Sequence, residues 1–147
     1  MLEARGIAYE LRYYDEVEKT AEEVVQKLAL APEVVFKTLL VQSGREFALA
    51  VVPSTRELSL RRLARAWGRP SAEMADPKDI QRITGYVRGS VSPVGPRRQL
   101  AVFIDESARS LPQMAVSAGA RGAELVCAPG AILAGCGGTF ADICREA

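Results

Sequence analysis

The sequence predicts an α+β domain with a mixed, partly closed β-sheet and flanking helices. Short β-rich runs outnumber helix-like stretches and follow one another along the chain. Regular strand–helix alternation, the mark of a doubly wound sheet, is absent. The 147 residues suit one domain, taken as 1–147, and 48% hydrophobic with 25% charged residues is an ordinary globular balance. No run reaches the roughly 18 apolar residues of a membrane span. Met1-Leu2-Glu3-Ala4-Arg5 is not followed by the apolar core of a signal peptide.

Tyr9 to Tyr13 alternates as a strand. Thr20-Ala21-Glu22-Glu23 has the capping-box form, and Val24, Val25 and Leu28 give the helix behind it an apolar face that Pro32 ends. Val34 to Val41 and Phe47 to Val52 are β-rich runs about Ser43-Gly44, which predicts a hairpin. Ser59 caps a helix over Leu60 to Trp67 with Gly68 at its end, and Asp76-Pro77 opens another that stops at Gly85. Tyr86 to Arg98 is a loop marked by Gly89, Pro93 and Gly95. Leu100 to Ile104, Met114 to Val116 and Glu124 to Cys127 are expected strands; Pro129 to Leu133 and Phe140 to Cys144 are expected closing helices.

The most restrictive count is zero histidines. Ser-His-Asp and Cys-His catalysis, histidine general bases and His-containing zinc sites are thereby excluded. Cys127, Cys136 and Cys144 are odd in number and lack C-x-x-C spacing, so neither a disulfide framework nor a metal site is expected, and the chain reads as reduced and cytoplasmic. Chemistry here must draw on lysine, carboxylates, hydroxyls, backbone amides or the substrate itself. Net charge is +1, yet residues 56 to 98 carry ten Lys/Arg against four Asp/Glu. Arg61, Arg62, Arg65, Arg69, Arg97 and Arg98 form either a solvated face or a surface for a nucleic-acid backbone.

Lys37 interrupts an apolar strand and shares the face of Val35 and Leu39 if the period is two. It is either a strand-end lysine snorkelling to water or a cation held in an apolar cleft for an anionic substrate or a developing oxyanion. Thr84-Gly85-Tyr86-Val87-Arg88-Gly89-Ser90-Val91-Ser92-Pro93-Val94-Gly95 and Val116-Ser117-Ala118-Gly119-Ala120-Arg121-Gly122 are glycine loops whose amides could face a ligand, although plain turns share that composition. Neither has P-loop or dinucleotide spacing.

Together with Phe36-Lys37-Thr38-Leu39 and Glu73-Met74-Ala75, these stretches resemble the YbaK/prolyl-tRNA-editing family of aminoacyl-tRNA deacylases in order and spacing, from about Tyr14 to Asp142. The resemblance implies removal of a wrong amino acid from tRNA, with Cys-tRNA for proline the leading substrate and Ala-tRNA the second. A noncatalytic tRNA- or synthetase-binding module with the same fold is the alternative. It places the family lysine on Lys37, against the acylated terminal adenosine, and the glycine whose amide approaches the substrate carbonyl on Gly89. The family tyrosine falls on Tyr14, with Tyr13 adjoining, and the acidic position on Glu124. Thr38, Ser90, Ser92, Pro93, Ser117 and Gly119 are implied to line the substrate. Relatives commonly have Gly-Gly where this chain has Gly89-Ser90, so the accepted amino acid is in question while the reaction class is not. The implied chemistry needs no metal or cofactor: an aminoacyl ester is already activated, and in cysteine-specific relatives the substrate thiol is thought to attack its own ester. The implied partners are a misacylated tRNA and, as a candidate, prolyl-tRNA synthetase.

Overall fold

The hairpin expected about Ser43-Gly44 lies at the centre of the fold. Strands β2 (Phe36–Ser43) and β3 (Glu46–Pro53) pair antiparallel from Phe36 opposite Pro53 to Ser43 opposite Glu46. Gly44, at φ 59°, supplies the left-handed conformation that so short a connection needs. The computed structural model describes residues 10–13, 31–95, 99–119 and 123–146. The expected helix behind Thr20, and Tyr14, Arg97 and Arg98, lie outside the described residues.

Two helices follow the hairpin where their caps predict. In α1 (Leu60–Trp67) the Ser59 hydroxyl accepts from the Arg62 N–H at 3.2 Å and Gly68 closes the helix at φ 72°. In α2 (Pro77–Thr84) the Asp76 carboxylate accepts from the Lys78 N–H at 3.0 Å and Gly85 closes at φ 81°. Each side-chain cap satisfies a donor the helix cannot, a contribution of about 1 kcal/mol. Between the helices, the two-residue strand β4 (Glu73–Met74) pairs with β2 at Gln42 and Val41.

Strand β5 (Ala101–Asp105) runs parallel to β3. Strands β1 (Glu10–Tyr13), β6 (Met114–Ser117) and β7 (Ala123–Cys127) form a separate antiparallel sheet in the order β1-β7-β6. After α3 (Pro129–Cys136), strand β8 (Thr139–Ala141) pairs parallel with β5 and completes a five-stranded mixed sheet, β4-β2-β3-β5-β8. A parallel bridge from Val35 to Ala115 joins the two sheets at the entry to β2. The described strands leave both sheets open rather than closing a barrel.

The larger sheet is apolar on both faces, which explains the continuous run in β3. Phe36 and Leu40 of β2 and Leu49 and Val51 of β3 pack with Ile83 of α2 and with Val91 and Val94 of the loop behind it. The alternate residues Val41, Ala48, Ala50 and Val52 pack with Leu63 of α1, Phe103 and Ile143.

One expected element changes type. Phe140 to Cys144 is not a helix: Phe140 lies opposite Ile104 in the β8–β5 ladder, and Cys144 bridges to Leu58. A helix so short leaves most of its own backbone groups unpaired. Here the Ser59 N–H donates to Ile143 O at 2.7 Å and the Arg145 N–H to Glu57 O at 2.8 Å. The helix begun at Pro129 also runs beyond Leu133 to Cys136, because Gly137, at φ 66°, is the residue that caps it.

Candidate active site

Alternation along the strands brings three of the expected site residues onto one surface. Val35, Ala115 and Val126 form a small cluster across the junction of the sheets. Two residues beyond Val35, Lys37 shares its face; two beyond Ala115, Ser117 shares the same face. Lys37 and Ser117 each lie two residues beyond the parallel Val35–Ala115 bridge, and Ser117 is directly opposite Glu124 in the β6–β7 register. Lys37, Ser117 and Glu124 thus occupy same-face positions that form a row in the order β2, β6 and β7.

The chemistry changes along this row. Lys37 and Ser117 are half-buried, whereas Glu124 is 5% exposed. Burial pushes the Glu124 carboxyl up to about 8, so near pH 7 it is largely the neutral acid. The Ser117 hydroxyl accepts from the Gly119 N–H at 3.2 Å, which shapes the turn leaving β6.

The Gly89 loop approaches from the other face of β2. Thr38 points to the Phe36 and Leu40 side, where Val91 and Val94 anchor the loop in the core. Adjacent Lys37 and Thr38 therefore serve opposite faces. Gly89 is exposed at φ 84°, and a Cβ built there meets no atom within 4 Å. Its glycine requirement comes from backbone conformation, not from crowding. Ser90 is 1% exposed, and its hydroxyl, like that of Thr38, is buried without a hydrogen-bond partner among the described residues. The Ser92 hydroxyl accepts from the Val94 N–H at 3.2 Å, and Pro93 is buried, so both shape the loop.

Tyr86 joins this loop to the Lys37 row. Its hydroxyl reaches Val94 O at 2.6 Å and Gly95 O at 2.9 Å, and its ring abuts Gly119. Tyr86 lies within a sequence motif that assigns it no role. No local pattern could, because the contact joins two loops distant in the chain.

The arginines separate into two groups. Arg61 and Arg65 are exposed on α1. Arg62 is held by Asp142 at 3.2 Å, Glu146 at 3.0 Å and the Cys144 carbonyl at 2.7 Å. Arg69 pairs with Glu46 at 2.7 Å and lies over the Trp67 ring. Burial pushes the Cys127 thiol up to about 11, and burial together with Asp105 pushes that of Cys144 to about 12, which disfavours either as a thiolate nucleophile. The described residues contain no cluster of three or more potential metal ligands and no helix long and apolar enough to cross a membrane.

Comparison with known proteins covers both elements of this site. The aminoacyl-tRNA editing domain family matches residues 15–133. A protein of Enterococcus faecalis named "Putative Cys-tRNA(Pro)/Cys-tRNA(Cys) deacylase EbsC" is 38% identical over 125 residues, covering 84% of this chain and 76% of that protein. A proline–tRNA ligase of Desulforamulus reducens is 31% identical over 108 residues, 74% of this chain but 19% of the ligase. The crystal structure titled as that of "a putative trans-editing enzyme for prolyl tRNA synthetase" superposes with a TM-score of 0.90 at 26% identity, covering 99% of this chain and 92% of that one.

Proposed function

The chain belongs to the aminoacyl-tRNA editing domain family, and from that premise we propose that it hydrolyses the ester of a misacylated tRNA. Cysteine on the tRNA for proline is the leading substrate, and alanine on that tRNA the second. The observation that carries this reading is the row of Lys37, Ser117 and Glu124, which sets a cation and a neutral buried acid on one surface.

In this reading Lys37 holds the electron-rich end of the terminal adenosine and stabilises negative charge as the ester carbonyl is attacked. Glu124 lies where it can receive the α-ammonium group, giving up its proton when that cation arrives. Gly89, exposed in its loop, offers its own amide to the carbonyl oxygen, since the Ser90 N–H donates to Val87 O at 3.0 Å. Water adds to the acyl carbon, the acyl–oxygen bond breaks, and the ribose oxygen leaves with a proton. With a cysteinyl substrate the thiol attacks first: its proton passes to the departing ribose oxygen, and water then opens the cyclic thioester. Both routes rely on positioning and electrostatics, which suits a chain without histidine.

Arg61 and Arg65 offer exposed charge for the tRNA backbone, while Arg62 and Arg69 already serve ion pairs within the fold. The proposed substrate places the reaction in the cytoplasm, with prolyl-tRNA synthetase the candidate partner, and the whole chain 1–147 is read as one editing domain. The test is release of cysteine from Cys-tRNA for proline with protein far below substrate. Many turnovers per protein molecule support the reading; tight binding without release would make the chain a tRNA-binding module.

A further inference from the structure

Tyr86 has a structural position that the proposed chemistry does not use. Its N–H donates to the Thr84 hydroxyl at 3.0 Å, and that hydroxyl donates to Ile80 O at 2.6 Å, so its backbone is fixed to the last turn of α2. Its own hydroxyl crosses the loop, one proton shared between Val94 O at 2.6 Å and Gly95 O at 2.9 Å. The side chain therefore clamps the loop from its first residues to its last, with Gly89 and Ser90 inside the span.

The ring makes a second contact. A Cβ on Gly119 would lie 2.5 Å from Tyr86 Cε1 and 3.1 Å from Cζ, so the tyrosine occupies the space any other residue at 119 would need. Gly119 in turn donates to the hydroxyl of Ser117, the middle residue of the Lys37–Ser117–Glu124 row. One side chain thus fixes the span of the Gly89 loop and touches the turn that ends at the row. An aromatic serving only to fill the core would need no hydroxyl aimed at two loop carbonyls.

We propose that Tyr86 is a positioning residue, setting the distance between the Gly89–Gly95 loop and the Ser117–Gly119 turn and thereby how the ester is seated between them. The functional half rests on the deacylase reading; the clamp itself does not.

Tyr86→Phe tests both halves, since it keeps the ring against Gly119 and removes the hydroxyl. Losing one net hydrogen bond should speed amide hydrogen exchange in residues 88–95 by about fivefold while the strands keep their protection. The single-turnover rate at saturating protein should fall by a similar factor, about fivefold, with the half-saturating concentration unchanged. Tyr86→Leu, which also vacates the space beside Gly119, should lower that rate further. Wild-type loop exchange in folded Tyr86→Phe overturns the clamp, and loosened exchange with a wild-type rate overturns its role in seating the ester. If wild-type protein hydrolyses no charged tRNA, the deacylase reading and the seating role fail together, while the exchange comparison still decides the clamp.

Discussion

Replacing Glu124 by glutamine should abolish a specific dependence of stability on pH. The carboxyl is 5% exposed on β7, and burial raises it from 4.5 to about 8. Between those values the folded state binds a proton that the unfolded chain releases. The contribution of Glu124 is therefore most favourable below about pH 4.5, declines as pH rises and levels off above about 8. The steepest decline is about 1.4 kcal/mol per pH unit, and the whole swing is on the order of 5 kcal/mol. Glutamine keeps the shape and cannot ionise, so the difference between Glu124→Gln and wild type should grow with pH while titrations elsewhere cancel. Urea unfolding of both proteins at steps from about pH 5 to 8 measures it. A difference that stays constant across the range would mean that Glu124 is already ionised in the folded protein, and the buried neutral acid would have to be abandoned.

Three further outcomes follow from the same geometry. Lys37→Ala should lower deacylation at least tenfold, about 1.4 kcal/mol of transition-state stabilisation, with an unchanged unfolding midpoint; wild-type rates from the folded variant would remove Lys37 from the mechanism. Ser90→Ala should raise stability by roughly 1 kcal/mol, because it deletes a buried hydroxyl that has no partner among the described residues, and should shift the ratio of Cys- to Ala-tRNA hydrolysis; a lower midpoint or an unmoved ratio would show that the hydroxyl is satisfied or remote from the amino acid. Arg61→Glu with Arg65→Glu should weaken tRNA binding and flatten its salt dependence while leaving single-turnover chemistry at saturation nearly intact, as read from binding titrations at several salt concentrations; unchanged affinity and slope would make this face a solvated one.

The parts legible from sequence are those governed by local rules. Ser59 with Gly68 and Asp76-Pro77 with Gly85 bound their helices because caps act within one turn. The hairpin and the shared face of Val35, Lys37 and Leu39 follow from a period of two. What escaped depends on a distant partner. Strand β4 consists of Glu73 and Met74 and exists because the edge of β2 is open at Val41 and Gln42. Phe140 becomes a strand because β5 offers it a ladder. The quoted motifs led to Lys37, Ser117 and Glu124 separately, but their alignment rests on a single bridge between Val35 and Ala115. The burial of Ser90 beside exposed Gly89 likewise depends on how Val91 is drawn into the core.

The central claim is that this surface hydrolyses a misacylated tRNA ester, and a panel of charged tRNAs tests it most directly. Amino acid and tRNA should be varied independently, with wild-type protein at catalytic concentration and uncatalysed release subtracted. The account predicts many turnovers with cysteine on the tRNA for proline, slower release of alanine from that tRNA, and sparing of correctly charged proline. Release no faster than the uncatalysed rate from every member of the panel, by a folded protein that binds tRNA, would contradict it.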